Sequence, residues 1–231
     1  MTQQLPAAPA PADLPKRRVA DASYGGDDRT LPAGSRVALV HNHAGRWPRQ
    51  WWQFRETPIP NPGRFDAFDA DGVDGVSYLA IPGFDEEREA VAAGETSAVA
   101  TCLAETTQGK RVLDRRDERS LLIARLTRPV IVLDVSSDWA TRAGAGTHLS
   151  TAPRQLTSRW ATAIAQRWPD LHGITWISSV RPPGRALVLW SPRASDALAT
   201  AKPHLHRALD DPYIEPVLAQ AAHVTGITLA P

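Results

Sequence analysis

Two nearly unbroken apolar runs, Leu121-Leu122-Ile123-Ala124-Arg125-Leu126 and Val130-Ile131-Val132-Leu133-Asp134-Val135, are separated only by Thr127-Arg128-Pro129. Both runs are short and end at a breaker, so both read as strands. Residues 36–41, 75–80, 173–179 and 186–190 read the same way, and the Pro182-Pro183-Gly184 turn makes the last two hairpin partners. Residues 110–114 read as a short strand or a helix exit, and 227–229 as an edge strand. Helical spacing is clearest over 97–106, over 154–168, where Trp160, Ile164 and Trp168 recur every four residues, and over 212–222. Ser150, Thr151 and Pro153 supply helix-start chemistry for the second of these. The fold class expected is α+β, with strands dominating the core.

The chain has 231 residues and 42% hydrophobic content, enough for a full core in one domain. That domain is expected over 35–231. Residues 1–34, rich in Ala, Pro, Gln and Asp, read as a disordered arm in which Lys16-Arg17-Arg18 is solvated. With 26 basic and 25 acidic residues and no basic run interleaved with aromatics, direct nucleic-acid binding is not expected. Cys102 is the single cysteine, which excludes an intrachain disulfide framework and a cysteine-based zinc site. The pairs His41-Asn42-His43 and His204-Leu205-His206 lack a third ligand at a characteristic spacing, so no metal site is expected. No apolar run is long enough for a membrane helix, and the first 20 residues carry no secretory pattern, so a cytoplasmic location is the expectation.

The chemistry-bearing stretch is 61–105. Asn61-Pro62-Gly63-Arg64-Phe65-Asp66 puts an arginine on a turn, Gly75–Ala80 puts Tyr78 on a strand, and the helical run ends near Glu105. A guanidinium fork grips phosphate oxygens, an aromatic face stacks on a base, and a carboxylate stabilises positive charge on a ribose carbon. Such a trio suits an anionic nucleotide sugar. Ala98, Cys102 and Glu105 share one helical face, widened by Val99 and Leu103, which turns Glu105 toward the interior or its rim. The competing reading is a helix-end glutamate in solvent. The segment 45–56, with Trp47, Trp51, Trp52 and Phe54, reads as an aromatic cluster packed under a loop in preference to an exposed ligand loop. Asp69 to Gly75 is a turn, too short for an EF-hand loop.

Taken in order, these fragments resemble the RES domain family over about residues 36–229. The resemblance rests on Gly63-Arg64-Phe65-Asp66, Val76-Ser77-Tyr78-Leu79-Ala80, Leu103-Ala104-Glu105-Thr106 leading into Arg111-Val112-Leu113-Asp114-Arg115, and Trp176-Ile177-Ser178-Ser179 followed by a glycine turn and Leu187-Val188-Leu189-Trp190. The block Trp139-Ala140-Thr141-Arg142-Ala143-Gly144 resembles actinobacterial members. The resemblance implies an ADP-ribosyltransferase-like split β core with flanking helices. It implies NAD+ as substrate, no cofactor, cleavage of the nicotinamide–ribose bond, and inorganic phosphate or water as acceptor. It also implies a toxin held by a small helical DNA-binding antitoxin; a homo-oligomer stays open. By the same resemblance Arg64 would hold the diphosphate, Tyr78 would pack on the nicotinamide or its ribose, and Glu105 would stabilise the oxocarbenium-like transition state. Ser178 or Ser179 would bond phosphate oxygens. An arginine that many members carry near the end of the first strand is missing from Ala38-Leu39-Val40-His41, with Arg46 or His41 as candidate replacements. The long interval from Tyr78 to Glu105 contains the charged segment 82–94, a candidate lid or partner contact. ADP-ribosyl transfer to a macromolecule and a non-catalytic NAD-binding module are the alternatives. If the three side chains were scattered surface groups, they would not converge on one cleft.

Overall fold

Strand residues in this protein alternate between two apolar cores. Val37 and Leu39 face one core and Ala38 faces another, as do Leu122 and Ala124 against Leu121 and Ile123. The computed structural model describes residues 4–20, 25–44, 49–56, 62–82, 91–108, 110–116, 118–200 and 202–231, with the side chains of 91–96 excepted. The strands are β1 (Asp28–Leu31), β2 (Arg36–Asn42), β3 (Gly75–Ile81), β4 (Val112–Asp114), β5 (Arg119–Arg125), β6 (Val130–Asp134), β7 (Gly173–Ile177), β8 (Arg185–Ser191), β9 (Leu205–Ala208) and β10 (Thr228–Ala230). The helices are α1 (Val91–Thr107), α2 (Asp138–Arg142), α3 (His148–Thr151), α4 (Arg154–Arg167), α5 (Ser195–Ala199) and α6 (Glu215–Thr225). The α+β class is as expected.

Eight strands form one mixed sheet in the order β1-β6-β7-β8-β3-β2-β5-β9, and β10 pairs in parallel with β4 apart from it. The two apolar runs on either side of Thr127-Arg128-Pro129 enter different parts of this sheet, β5 beside β2 and β6 beside β7. Between the parts, β2 and β3 share a single paired position, Ala38 with Ala80. Each is fully paired on its other side, β2 along β5 and β3 along β8. The sheet is therefore split at its centre.

The helices respect the split. On one face, α4 and α2 lay Trp160, Ile164 and Trp139 over Ile174, Val188 and Trp190. On the same face but across the split, α1 and α6 lay Leu103, Leu218 and Ala221 over Leu121 and Ile123. On the opposite face one continuous core runs beneath both halves, through Leu39, Leu79, Leu187 and Val132. Of the expected aromatic cluster, Trp51 and Phe54 belong to that core but Trp52 is exposed; Trp47 lies outside the described residues, as does much of 82–94.

The expectation of a disordered arm over 1–34 is corrected. Leu5 and Leu14 are buried in the α4 core, and β1 is an edge strand paired with β6. Two buried tryptophans recruit the backbone: the Trp160 Nε1–H donates to Pro6 O at 3.1 Å and the Trp139 Nε1–H to Pro15 O at 3.0 Å. An indole N–H inside a core must find an acceptor, and this low-hydrophobicity segment supplies it. Arg17 is likewise not merely solvated; it bridges Asp28 and Asp170. Buried Asp27 accepts from Arg142 Nη2 and the Arg18 N–H, both at 2.5 Å.

Leu14→Ala should lower the free energy of unfolding by about 2–5 kcal/mol, the cost of a large-to-small change in a packed core. Chemical denaturation measures it, and an unchanged midpoint would show that the segment contributes nothing to the fold.

Candidate active site

The ladder between β2 and β3 stops after Ala38–Ala80, and a cavity of about 250 Å³ occupies the opening. Leu39 and Val40 line one side, Val76 and Tyr78 the other, with Trp176 from β7. Glu105 and Cys102 line it from α1, and the arginines Arg49, Arg55, Arg64 and Arg154 are among its lining residues. Arg64, Tyr78 and Glu105 thus converge on one cleft.

The Gly63–Asp66 turn explains how Arg64 is aimed. Asp66 is buried, and its carboxylate accepts from Arg55 Nη2 at 2.7 and 2.6 Å, from the Gly63 N–H at 2.8 Å and from the Tyr78 hydroxyl at 2.7 Å. The Tyr78 hydroxyl accepts in turn from the Phe65 N–H at 3.0 Å. A Cβ at Gly63 would stand 2.3 Å from the Tyr78 oxygen, so only glycine lets the turn close on the ring. Arg64 therefore sits in a turn fixed from behind, and its Nη1 donates to Ala152 O at 2.8 Å. Burial, with Arg154 close by, lowers the proton affinity of Arg64, and Glu105 opposes the shift. Tyr78 presents its ring to the cavity while burial, reinforced by Asp66, pushes its hydroxyl well above the ordinary phenol value. It is held as a neutral donor, not poised as a base.

Glu105, near the C-terminal end of α1, faces the cavity and not bulk solvent. Its Oε1 accepts from Ser178 Oγ at 2.7 Å. Ser178 is fully buried just beyond β7, and its oxygen also accepts from the Arg181 N–H at 3.1 Å and the Val180 N–H at 3.3 Å. Two incoming N–H groups leave the hydroxyl hydrogen to point at Glu105. The adjacent serines are therefore distinguished: Ser178 orients Glu105, whereas Ser179 is exposed.

His41 does not replace the first-strand arginine. Its Nδ1 faces Arg49 O at 3.1 Å, its Nε2 lies 3.0 Å from His206 Nε2, and burial lowers its pKa, so it stays on the core side of β2. Arg46 lies outside the described residues. The cations that line the cavity besides Arg64 are Arg49, Arg55 and Arg154, none of which the linear pattern singled out. Burial, and then the nearby Arg55, lower the pKa of Arg49. The Gly63-x-x-Asp66 spacing carried a signal for the Asp66 hub; Arg154 carried none beyond helix-start position. Among the described residues no group of three His, Cys, Asp or Glu side chains stands close enough to hold a metal ion, and no described helix is long and apolar enough to cross a membrane.

No family model and no curated protein sequence matches the chain. Among solved structures it is similar to a chain of the M. tuberculosis MbcT–MbcA toxin–antitoxin complex, with a TM-score of 0.50 and 13% identity over 82% of this chain and 92% of that one. At that identity the likeness is one of fold, an α+β sheet with flanking helices.

Burial pushes the Cys102 thiol up to about 12 from an ordinary 9.0. The folded thiol should resist alkylation at pH 8.5, whereas the unfolded chain reacts readily. Because the unfolded thiol ionises first, its contribution to stability is complete below pH 9 and is lost as pH rises toward 12. Iodoacetamide labelling with and without denaturant tests this; equal rates would place Cys102 in contact with solvent.

Proposed function

We propose that this protein is an NAD+-degrading enzyme that breaks the nicotinamide–ribose bond, and that it acts as the toxin of a toxin–antitoxin pair. The observation that carries the reading is Glu105, the one carboxylate among the residues lining the cavity, held by a buried serine and faced by four arginines. The fold likeness to a chain of a toxin–antitoxin complex supports the biological setting and an antitoxin partner, which in this reading is a small helical DNA-binding protein.

The chemistry asks little more than orientation and electrostatics. Nicotinamide in NAD+ is cationic and leaves as a neutral molecule, taking the electron pair of the glycosidic bond. Positive charge then passes to the ribose ring, and a fixed carboxylate near that carbon lowers the barrier. Glu105 has this role, and Ser178 keeps it from rotating away. Arg64 and Arg154 bind the diphosphate, and Arg49 and Arg55 add positive potential. The ring of Tyr78 forms a wall for the nicotinamide riboside. The acceptor completes the balance: phosphate attacking the ribose carbon gives ADP-ribose 1″-phosphate, and water gives ADP-ribose and a proton.

Purified protein should release nicotinamide from NAD+, and omission of inorganic phosphate separates the two acceptors by product. Label transferred from NAD+ to a macromolecule would instead establish ADP-ribosyl transfer, and binding without turnover would establish a non-catalytic module. Glu105→Gln should lower kcat by about 10²–10³-fold, the effect of losing one preorganised electrostatic group, with little change in NAD+ binding. Arg64→Ala should mainly raise KM. Full activity in Glu105→Gln would remove the assignment.

A further inference from the structure

A second cavity, of about 270 Å³, opens on the far side of Ser178. Its chemistry is unlike that of the first. No charged residue lines it. Thr141, Thr147, Ser150, Thr151 and Ser179 are among the residues that line it, with Val135, Ala140, Ile177 and Pro182 as the apolar part. Two further hydroxyls in its wall are already engaged: Ser136 Oγ accepts from the Ile177 N–H, and Ser137 Oγ from the Trp139 N–H. The five named first have no side-chain hydrogen bond among the described residues, so they are open to a ligand.

The two cavities share a wall. Ser178 lines the second, and its hydroxyl bonds Glu105, which lines the first. Thr151 lines the second and Arg154 the first, and between them Ala152 O accepts from Arg64. Arg64 and Arg154 therefore stand at the junction. The first cavity, at 250 Å³, is smaller than the roughly 300–1,000 Å³ usual for a small-molecule site and too small for a whole dinucleotide. A ligand fitting both spaces would put its anionic centre at the junction, one end beside Glu105, and at the other end an uncharged group with hydroxyls and one apolar face. A nucleoside has that composition: ribose hydroxyls for the Ser/Thr rim and a flat base for the apolar patch.

We propose that the second cavity is the subsite for the adenosine half of the dinucleotide, so that substrate spans the Glu105–Ser178 wall with its diphosphate between Arg64 and Arg154. This rests on the reading of the first cavity as the site of NAD+ cleavage and adds where the rest of the substrate lies. The subsite recognises a neutral nucleoside by hydroxyl contacts and apolar stacking. It also explains a segment, 135–151, that the cleavage chemistry does not use.

The test is calorimetric titration of the full chain with adenosine 5′-monophosphate and, separately, with nicotinamide mononucleotide. Three variants are compared: Thr147→Trp, which fills the second cavity; the pair Thr147→Val and Ser150→Ala, which removes hydroxyls with little change in volume; and Glu105→Gln, on the other side of the wall. Adenosine monophosphate should bind wild type and Glu105→Gln alike, weaken by about tenfold in the hydroxyl-deleted pair, and be lost in Thr147→Trp. Nicotinamide mononucleotide should bind all three variants as it binds wild type, so that a loss confined to adenosine monophosphate marks the second cavity. No binding of adenosine monophosphate by wild type would overturn the subsite, as would binding unmoved in the hydroxyl-deleted pair. Failure of wild type to release nicotinamide from NAD+ would instead remove the catalytic reading, with the adenosine monophosphate titration still deciding the subsite.

Discussion

The site depends on a carboxylate that never reaches it. Asp66 is removed from water, and a buried carboxylate is costly unless its oxygens are bonded. Its donors come from three places: Arg55 ahead of the turn, the Gly63 N–H within it, and Tyr78 on β3. Satisfying Asp66 therefore ties the turn to the strand, and the missing side chain of Gly63 lets the two come together. Arg64 lies between these fixed points. Its direction is a consequence of bonds made behind it, which leaves its guanidinium to face the cavity with little conformational entropy to lose on binding.

A second constraint acts across the split. The two parts of the sheet meet at Ala38–Ala80, and the helix layers above them are separate apolar cores. A polar bond spans what the ladder does not: Ser178, from the end of β7, reaches Glu105 on α1. The turn after Ser178 approaches α1 so closely that a Cβ at Gly184 would stand 2.1 Å from Thr101 Oγ1. Arg181 in the same turn donates to Thr101 at 3.0 Å. The cleft is thus a gap in the ladder bridged by side chains, and its geometry is set by contacts between halves as well as within each.

Strands and long helices were legible because period and breakers are local. Every apolar run read as a strand entered a sheet, and the helix over 212–222 appears as a short 3-10 turn followed by α6, closed by Gly226 in the left-handed region. The arm was misread for a reason equally physical. Its own composition cannot form a core, but Trp139 and Trp160 needed acceptors that only a passing backbone provided, and that demand is written more than a hundred residues away. Arg64, Tyr78 and Glu105 were found through the order of short motifs. Arg49, Arg55 and Arg154 were not, because what unites them is the split between β2 and β3 and not any spacing along the chain.

Those three cations change what the cavity is. Four guanidiniums facing one free carboxylate repel one another, and burial makes the repulsion stronger than it would be in water. Asp66 is already committed to Arg55, so it offsets only part of that charge. A ligand with a diphosphate group would offset that repulsion while accepting hydrogen bonds from the guanidiniums. The Ser178 hydroxyl fixes the direction of Glu105 within this surround of cations. In the proposed reaction, grip on the anionic centre and catalysis at the sugar would both come from one electrostatic arrangement: a wall of arginines with one carboxylate among the cavity-lining residues, directed by a serine.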